Sequence, residues 1–289
     1  MRAVSFAMPA RRRAILALLM LAALAGGGTP AWAQGFGDLI VSPTRVELQG
    51  RTRSATVSLT NKGSQTALFR ISLVTMVMAD DGSLKAVDKP EPGQLTAEHL
   101  VRYAPRQVNI APGATQTVRL VVRKPKDLPA GEYRSHMFFR AVPPEDTGRS
   151  VAGTEDKTGI RIKLTPIFGI TIPVIVRNGD LNVTSGIKDL ALKDGKQKGQ
   201  KVLDVSLTRT GTESSYGDLE VQYVPAAGGA PVVVGQVTRL AVYTPNLLRK
   251  IQIPLALPRG VTLGKGTLKV RYRQVNGDAT LASGELALQ

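Results

Sequence analysis

Apolar and polar residues alternate with a period of two along most of the chain, and turn-forming residues separate the alternating segments. This pattern is typical of β-strands, in which successive side chains point to opposite faces. Segment 159–177, GIRIKLTPIFGITIPVIVR, has an apolar residue or proline at every even position from Ile160 to Val176. Strands in globular proteins usually have about 5 to 6 residues, so this stripe predicts a strand that serves more than its own core. A long core strand that bends at Pro166 and Gly169 is the simpler alternative.

The segments up to Arg177 predict one immunoglobulin-like sandwich. Turn-forming residues lie between them, as in Asn61-Lys62-Gly63 and Ala111-Pro112-Gly113. A helical turn near Thr96 to Arg102 is the one expected departure from strand structure. Seven strands at this spacing are typical of the immunoglobulin fold. The predicted strands cover residues 39–48 with a break at Pro43, 54–60, 68–77, 106–110, 115–122, 132–142 and 160–176.

A second series of strands follows the short joint Arg177-Asn178-Gly179-Asp180. We therefore expect an all-β protein with two immunoglobulin-like β-sandwich domains in tandem, at residues 34–178 and 179–289. Because the joint is short, the two sandwiches should meet with a cleft between them, and such clefts are favoured binding sites. The predicted strands of the second domain cover residues 181–183, 202–209, 219–224, 232–237, 241–243, 248–255, 266–274 and 279–288.

Residues 1–33 have the features of a cleavable signal peptide. Four arginines precede an apolar run at 14–25, and Ala31-Trp32-Ala33 offers a small-x-small cleavage site before Gln34. The run is well short of the roughly 20 residues that span a bilayer. We therefore expect an exported, periplasmic protein whose mature chain does not insert into the membrane.

Composition narrows the possible partners. The chain has no cysteine, so its stability must come from burial rather than disulfides. Loss of four leader arginines would lower the net charge from +16 to +12, and the remaining excess is spread over both domains. Nucleic-acid binders usually concentrate their charge and interleave aromatics, whereas Trp32, the single tryptophan, lies in the leader. We expect no nucleic acid; a diffuse positive field favours acidic protein partners or an anionic membrane surface.

The residues that could carry enzymatic chemistry are few. The two histidines, His99 and His136, lie far apart, and there is no thiol, nucleophile elbow or phosphate loop. His136 lies within the alternating pattern of a predicted strand, which favours a packing or surface role. Asp80-Asp81-Gly82 is more typical of a hairpin turn than of a calcium ligand set. The lysine-rich segment 193–201 is typical of a solvated hairpin tip. We therefore expect no catalytic residue, no metal and no cofactor.

Three segments together resemble the periplasmic pilus-assembly chaperones of chaperone–usher systems. They are LIVSPTRVELQGRTRSATVSLTN at 39–61, APRQVNIAPGATQTVR at 104–119 and LPAGEYRS at 128–135. The resemblance implies two immunoglobulin-like domains in a boomerang arrangement and no enzymatic activity. It also implies that the protein binds incomplete pilin or fibre subunits and delivers them to an outer-membrane usher.

The resemblance further implies that the last strand of the first domain is lent to a pilin whose own sandwich lacks a strand. An extended donor can satisfy unpaired backbone groups of such a subunit while its alternate side chains fill the exposed groove. The predicted donor residues are Ile160, Ile162, Leu164 and Phe168. An apolar edge of this kind also favours self-association of the free protein.

Family members hold the terminal carboxylate of the subunit with two basic residues in the cleft. By resemblance Arg45 is the first, and an arginine fork suits a carboxylate; an ordinary solvated strand arginine is the alternative. Matching Ile162-Lys163-Leu164 makes Lys163 the second, but it then places Thr154, Asp156 and Thr158 at the donor positions. Matching the end of the strand instead keeps the apolar donors and places Thr171 or Pro173 where the lysine should be. Arg161 and Arg177 are substitutes.

Two other function classes stay open. One is a stand-alone exported immunoglobulin-like adhesin or scaffold, which would need exposed aromatics for a sugar platform. The other is a hydrolase or metal enzyme built on the same scaffold.

Overall fold

The computed structural model describes residues 38–143, 167–275 and 277–289. Seventeen strands, joined by turns and loops, account for the regular structure of these residues. Within these ranges no helix is long and apolar enough to cross a membrane. The first ten strands are β1 (Leu39–Ser42), β2 (Val46–Leu48), β3 (Ser54–Asn61), β4 (Ala67–Met78), β5 (Leu84–Val87), β6 (Val101–Ala104), β7 (Gln107–Ile110), β8 (Thr115–Val122), β9 (Gly131–Val142) and β10 (Gly169–Asn178).

These ten strands form one sandwich of two sheets. One sheet has the order β1-β3-β8-β6; in the other, β2, β10, β9 and β4 lie side by side, and β5 and β7 both pair with β4. Pro43 explains why residues 39–48 contribute one strand to each of the two sheets. Because proline has no N–H to donate to a ladder, β1 ends at Ser42, and the chain crosses to the opposite sheet before β2 begins at Val46.

The remaining strands form a second sandwich, with sheets ordered β11-β12-β15 and β14-β13-β16-β17. The all-β fold with two tandem sandwiches is therefore confirmed. The domain limits at 34–178 and 179–289 stay predictions at the level of single residues. The strands are β11 (Val183–Asp194), β12 (Lys201–Gly211), β13 (Ser215–Pro225), β14 (Val232–Val242), β15 (Leu248–Leu255), β16 (Gly266–Gln274) and β17 (Thr280–Leu288).

Several strand predictions need correction. The first strand of the second sandwich covers Val183–Asp194 rather than 181–183, because a register shift between Lys188 and Ala191 breaks the alternation on which the prediction depended. The expected helical turn near Thr96 is a single turn, and β6 follows it at once. β5 was missed because it is mostly exposed and carries no apolar alternation. The lysine-rich segment does form the tip of the β11–β12 hairpin, as predicted.

Strand β10 begins at Gly169, so Phe168 precedes the strand rather than lying within it. Ile160 to Pro166, the upstream part of the predicted strand, lies outside the described residues. Within β10 the alternation is confirmed: Ile172, Val174 and Val176 are buried in the core of the first sandwich.

Strand β9 is buried on both faces over its first seven residues. Its odd-numbered positions, such as Met137 and Phe139, belong to the core of the first sandwich. Glu132, Arg134 and His136 lie on the other face, and each is at most 2% exposed. This face is covered by the second sandwich: His136, for example, meets the ring of Tyr243 edge-on at 6.2 Å between centroids. Of the packing and surface roles that the sequence left open for His136, the structure shows the packing role, and the packing is between the two sandwiches.

Apolar and backbone contacts extend the interface along β4 and β10. Met78 and Ile175, from strands of the first sandwich, are buried within the apolar core of the second. At the predicted Asp80-Asp81-Gly82 turn, the backbone N–H of Lys250 donates to the carbonyl of Asp80 at 2.6 Å. The side chain of Asn246 donates to the carbonyl of Met78 at 2.7 Å. The interface thus joins the two sandwiches by a shared core as well as by polar contacts.

Replacement of Ile175 by alanine should destabilise the two sandwiches together. Ile175 is 0% exposed, so the change leaves a cavity at the interface and should lower the free energy of unfolding by about 2–5 kcal/mol. The matched control is Ile40→Ala on β1, where the isoleucine is 50% exposed and the expected change is within about 0.5 kcal/mol. Urea unfolding measures both; equal effects of the two substitutions would contradict the buried interface.

The protonation of His136 should couple folding to acid pH. Burial, together with the charges of Arg134 and Arg45, lowers its pKa from 6.5 to about 3. An unfolded chain binds a proton at this histidine near pH 6.5 and the folded protein does not, so stability falls as the pH drops from 6.5 toward 3. Proton NMR should find the ring of His136 neutral at pH 5, with the exposed His99 as internal comparison. A ring that is charged at pH 5 in the folded protein would contradict this prediction.

Candidate functional site

A cavity of about 970 Å³ lies between the two sandwiches. The loop before β2, the end of β10, and strands β13 and β14 all contribute to its wall. The cleft that the short joint predicted is therefore present. Charged and hydroxyl side chains form much of its lining: Thr44, Arg45, Glu47, Arg177, Glu213 and Arg239.

Arg45 lies in this cavity, directly after the Pro43 break and before β2. Its Nε donates to Glu47 at 2.5 Å, and its Nη1 donates to the hydroxyl of Tyr243 at 3.3 Å. The guanidinium stacks on Tyr216, 4.1 Å from the ring centroid. The side chain is 9% exposed, and its Nη2 is buried with no hydrogen-bond partner among the described residues. Arg45 is thus a rigidly held arginine with one donor group unused, rather than a solvated surface arginine.

Arg177, at the end of β10, is fully occupied by carboxylates. Its guanidinium lies 3.2 Å from Glu47, 3.0 Å from Glu132 and 3.0 Å from Glu213. Burial lowers the pKa of Arg177, but the three carboxylates outweigh it and raise the pKa overall. For Glu47 burial acts to raise the pKa, and Arg45 and Arg177 outweigh it in the opposite direction. Arg177 and its three carboxylates are therefore paired within the protein, which disfavours Arg177 as the substitute anchor.

Glu132 connects this charge group to the second sandwich. Its side chain is 0% exposed and accepts hydrogen bonds from the backbone N–H and the hydroxyl of Ser214. A buried carboxylate needs such partners because its desolvation costs several kcal/mol. The Glu132–Ser214 contacts therefore fix the β9 face against the segment that leads into β13.

A stack of alternating arginines and tyrosines crosses the interface. Arg45 lies over the rings of Tyr216 and Tyr243, and Arg134 lies over the ring of Tyr243 at 4.4 Å. Arg134 also donates to the carbonyls of Met76 and Thr244, at 3.2 and 3.3 Å. Burial lowers the pKa of Arg134, against the opposing effect of Tyr243 and Glu132. Cation–π contacts of this kind hold the guanidinium planes in fixed orientations.

The predicted donor residues are only partly described. Ile160, Ile162 and Leu164 lie outside the described residues, as does Lys163, the predicted second anchor. Phe168 is described and is 53% exposed. Its carbonyl accepts a hydrogen bond from the N–H of Ala141 at 2.9 Å, so the chain already follows β9 before β10 begins.

Among the described residues, one edge of β10 has no strand partner over half its length and is called here the open edge. β10 pairs with β9 along all ten residues, from Gly169 to Asn178. On the other edge the described partner is β2, which pairs only at Val174 to Val176. The unpaired stretch from Gly169 to Pro173 ends where β2 begins, beside Arg45. The structure thus brings an open strand edge and a buried arginine to the same place.

The part of the site that comes from the second sandwich was not predicted from the sequence. Tyr216, Tyr243, Glu213 and Arg239 line or approach the cavity. Glu132, Arg134 and His136 carried a signal, because charged and polar residues alternate there within a strand. That alternation alone does not distinguish a solvated face from one covered by another domain. Among the described residues, no group of three His, Cys, Asp or Glu side chains could hold a metal ion.

Comparison with known structures finds distant similarity to several chaperones. The Pseudomonas aeruginosa CupB2 chaperone is 13% identical, with 86% of this chain and 100% of that chain covered and a TM-score of 0.43. The E. coli chaperone DraB is 15% identical, with 87% and 96% covered and a TM-score of 0.39. A chain of the Salmonella enterica SafA pilin in complex with the SafB chaperone is 16% identical, with 88% and 97% covered and a TM-score of 0.40. No curated protein matches the chain in sequence.

The family assignment rests on the first sandwich. Residues 38–177 match the family described as "Pili and flagellar-assembly chaperone, PapD N-terminal domain". The match extends from one residue before β1 to the last residue but one of β10, and it therefore includes Arg45, the open edge and Arg177. The first sandwich, just under half of the chain, therefore belongs to the family of pilus-assembly chaperones.

Proposed function

We propose that this chaperone acts in the periplasm, where it binds incomplete pilin or fibre subunits by donor-strand complementation and delivers them to an outer-membrane usher. The observation that carries the proposal is the open edge of β10, which ends at the buried Arg45 of the cleft. The basic leader and the small-x-small site at Ala31-Trp32-Ala33 support export. Because exposed strand edges favour association, we expect the free protein to cover the same edge by pairing with a second copy.

The geometry favours one direction for a client strand. A strand added to β10 from Gly169 to Pro173 continues the line of β2 and abuts its start at Val46. Because β2 runs parallel to β10, a client strand in the same direction would bring its C-terminal carboxylate to Arg45. The opposite direction would bring a positively charged N terminus there, which like-charge repulsion disfavours. A parallel client strand whose carboxylate ends at Arg45 is therefore the arrangement that we expect.

Apolar side chains would supply much of the binding energy. Ile160, Ile162, Leu164 and Phe168 remain the proposed donor side chains. Each would contribute roughly 1.5–3 kcal/mol from burial before the cost of ordering the chain is subtracted. Lys163 and Arg161 remain possible second anchors on the same segment.

The family is one of chaperones and not of enzymes. The adhesin alternative has little support in the described surface. Of its eight exposed large hydrophobic side chains, Phe168 is the one aromatic, so no aromatic platform for sugars is present there.

Loss of the Arg45 guanidinium should weaken client binding. Arg45→Ala removes a charge-assisted bond worth about 1.5–3 kcal/mol, so a subunit that co-purifies with the wild-type protein should bind roughly ten- to hundred-fold more weakly. Arg45→Lys keeps the charge without the fork and should lie between the two. Arg119→Ala, at an exposed position on β8, is the control. The measurement is the dissociation constant of the one-to-one complex, and undiminished binding by Arg45→Ala would exclude the anchor.

A charge at the start of β10 should also reduce client binding. Phe168→Asp places a carboxylate where an apolar side chain would enter the client's groove, so retention of the client in a pull-down should fall at least ten-fold, since burial of an unpaired charge is costly. The control is Val233→Asp on β14, where the valine is 45% exposed. Equal retention by the two variants would show that Phe168 does not touch the client.

A further inference from the structure

We propose that the cleft holds the client carboxylate between two arginines from different sandwiches, Arg45 of the first and Arg239 of the second. The inference rests on the proposed chaperone function, in which the carboxylate is the C terminus of the client. It assigns a role in binding to the second sandwich, which the resemblance to the family did not provide. Among the described residues of β10, Arg177 is the one cation, and three carboxylates already occupy it.

Arg239 projects from a bulge in the second sandwich. In the β13–β14 ladder Gly217 pairs with Leu240 and Leu219 pairs with Val237. Asp218 therefore faces two residues of β14, which is the pattern of a β-bulge. Bulges redirect side chains and occur often next to functional sites. Here the bulge brings Arg239 to the wall of the cavity.

The backbone of Arg239 is strained. Its φ is +56°, in the left-handed region that residues other than glycine rarely adopt. The carboxylate of Asp218 accepts the backbone N–H of Arg239 at 2.7 Å and so holds this conformation. Strain of this kind is often found at ligand-binding positions.

The side chain of Arg239 reaches across the cleft. Its Nη1 donates to the hydroxyl of Thr44 at 3.2 Å, and Thr44 directly precedes Arg45. Among the described residues, no carboxylate forms an ion pair with this guanidinium. The cations that do form ion pairs there are Arg45, Arg177, Arg273 and three lysines. The charge of Arg239 is therefore available to a ligand in the cavity.

The two arginines act on the same space. Arg45 stacks on Tyr216 at the cavity wall, and its buried Nη2 has no hydrogen-bond partner among the described residues. Burial raises the pKa of Tyr216, and both Arg45 and Arg239 act in the opposite direction, as expected for two cations around one phenol. Two guanidinium groups beside a partly buried space suit a carboxylate, which can accept several charge-assisted hydrogen bonds.

The test compares release of a co-purifying subunit from the full-length protein and its variants. Arg239→Asn removes the charge, and asparagine tolerates a positive φ, so the bulge can persist. This variant should release the subunit roughly ten- to hundred-fold faster, and Arg239→Lys should be intermediate. Arg271→Ala, at an exposed position on β16 of the same sandwich, should not change the rate. Because both arginines would bind one carboxylate, the effects of Arg45→Ala and Arg239→Asn should not multiply in the double variant.

Three results would overturn the inference. If Arg45→Ala accelerates release and Arg239→Asn does not, the chaperone function stands and the second-sandwich anchor is wrong. If Thr44→Val, which removes the hydroxyl that Arg239 contacts, accelerates release as much as Arg239→Asn does, Arg239 only braces the two sandwiches. If no subunit co-purifies, the chaperone function itself fails; acetate then serves as the carboxylate probe. NMR then follows the Nε–H resonances of Arg45 and Arg239 as acetate is added. If the two resonances do not shift together and saturably, the shared site is excluded.

Discussion

The architecture of the cleft depends on one buried carboxylate, Glu132 on the outer face of β9. Its side chain has no exposed surface, so the protein must supply all of its partners, and Arg177 and Ser214 do so from β10 and from the second sandwich. Removing one partner of such a group usually costs more than the pair contributes, because the remaining charge is left buried. The positions of β9, β10 and the second sandwich are therefore linked. Arg45 and Arg239 can line one cavity because this link holds the two sandwiches together.

The same constraint explains why the arginines of the cleft and interface have different roles. Arg177 is neutralised by three carboxylates and Arg134 is buried against Tyr243, so both stabilise the interface. Arg45 is only partly satisfied, and Arg239 carries no ion pair among the described residues. A site that keeps donors unsatisfied loses stability in the free protein. The open edge of β10 carries a similar cost, since unpaired backbone groups invite unwanted association. Both features are understandable if a client strand satisfies them.

Particular residues show which features of the fold could be predicted from the sequence. Pro43 predicted the break between β1 and β2, and the even positions of β10 predicted the residues buried in the first core. These features are local, because strand pairing and side-chain alternation follow from a few consecutive residues. The prediction was wrong where local alternation fails: β11 contains a register shift, and the bulge at Arg239 lies within a continuous β14 that had been divided in two.

The sequence by itself determined the all-β class, the two tandem sandwiches, most strands and the position of Arg45 beside a strand break, because each of these depends on residues close together in the chain. Only the tertiary structure decided which face of β9 is buried, which charges neutralise Arg177, and that Arg239 reaches Thr44 across 195 positions of sequence. Those outcomes depend on the packing of one sandwich against the other. A polar stripe on a strand is the same in sequence whether water or a second domain covers it.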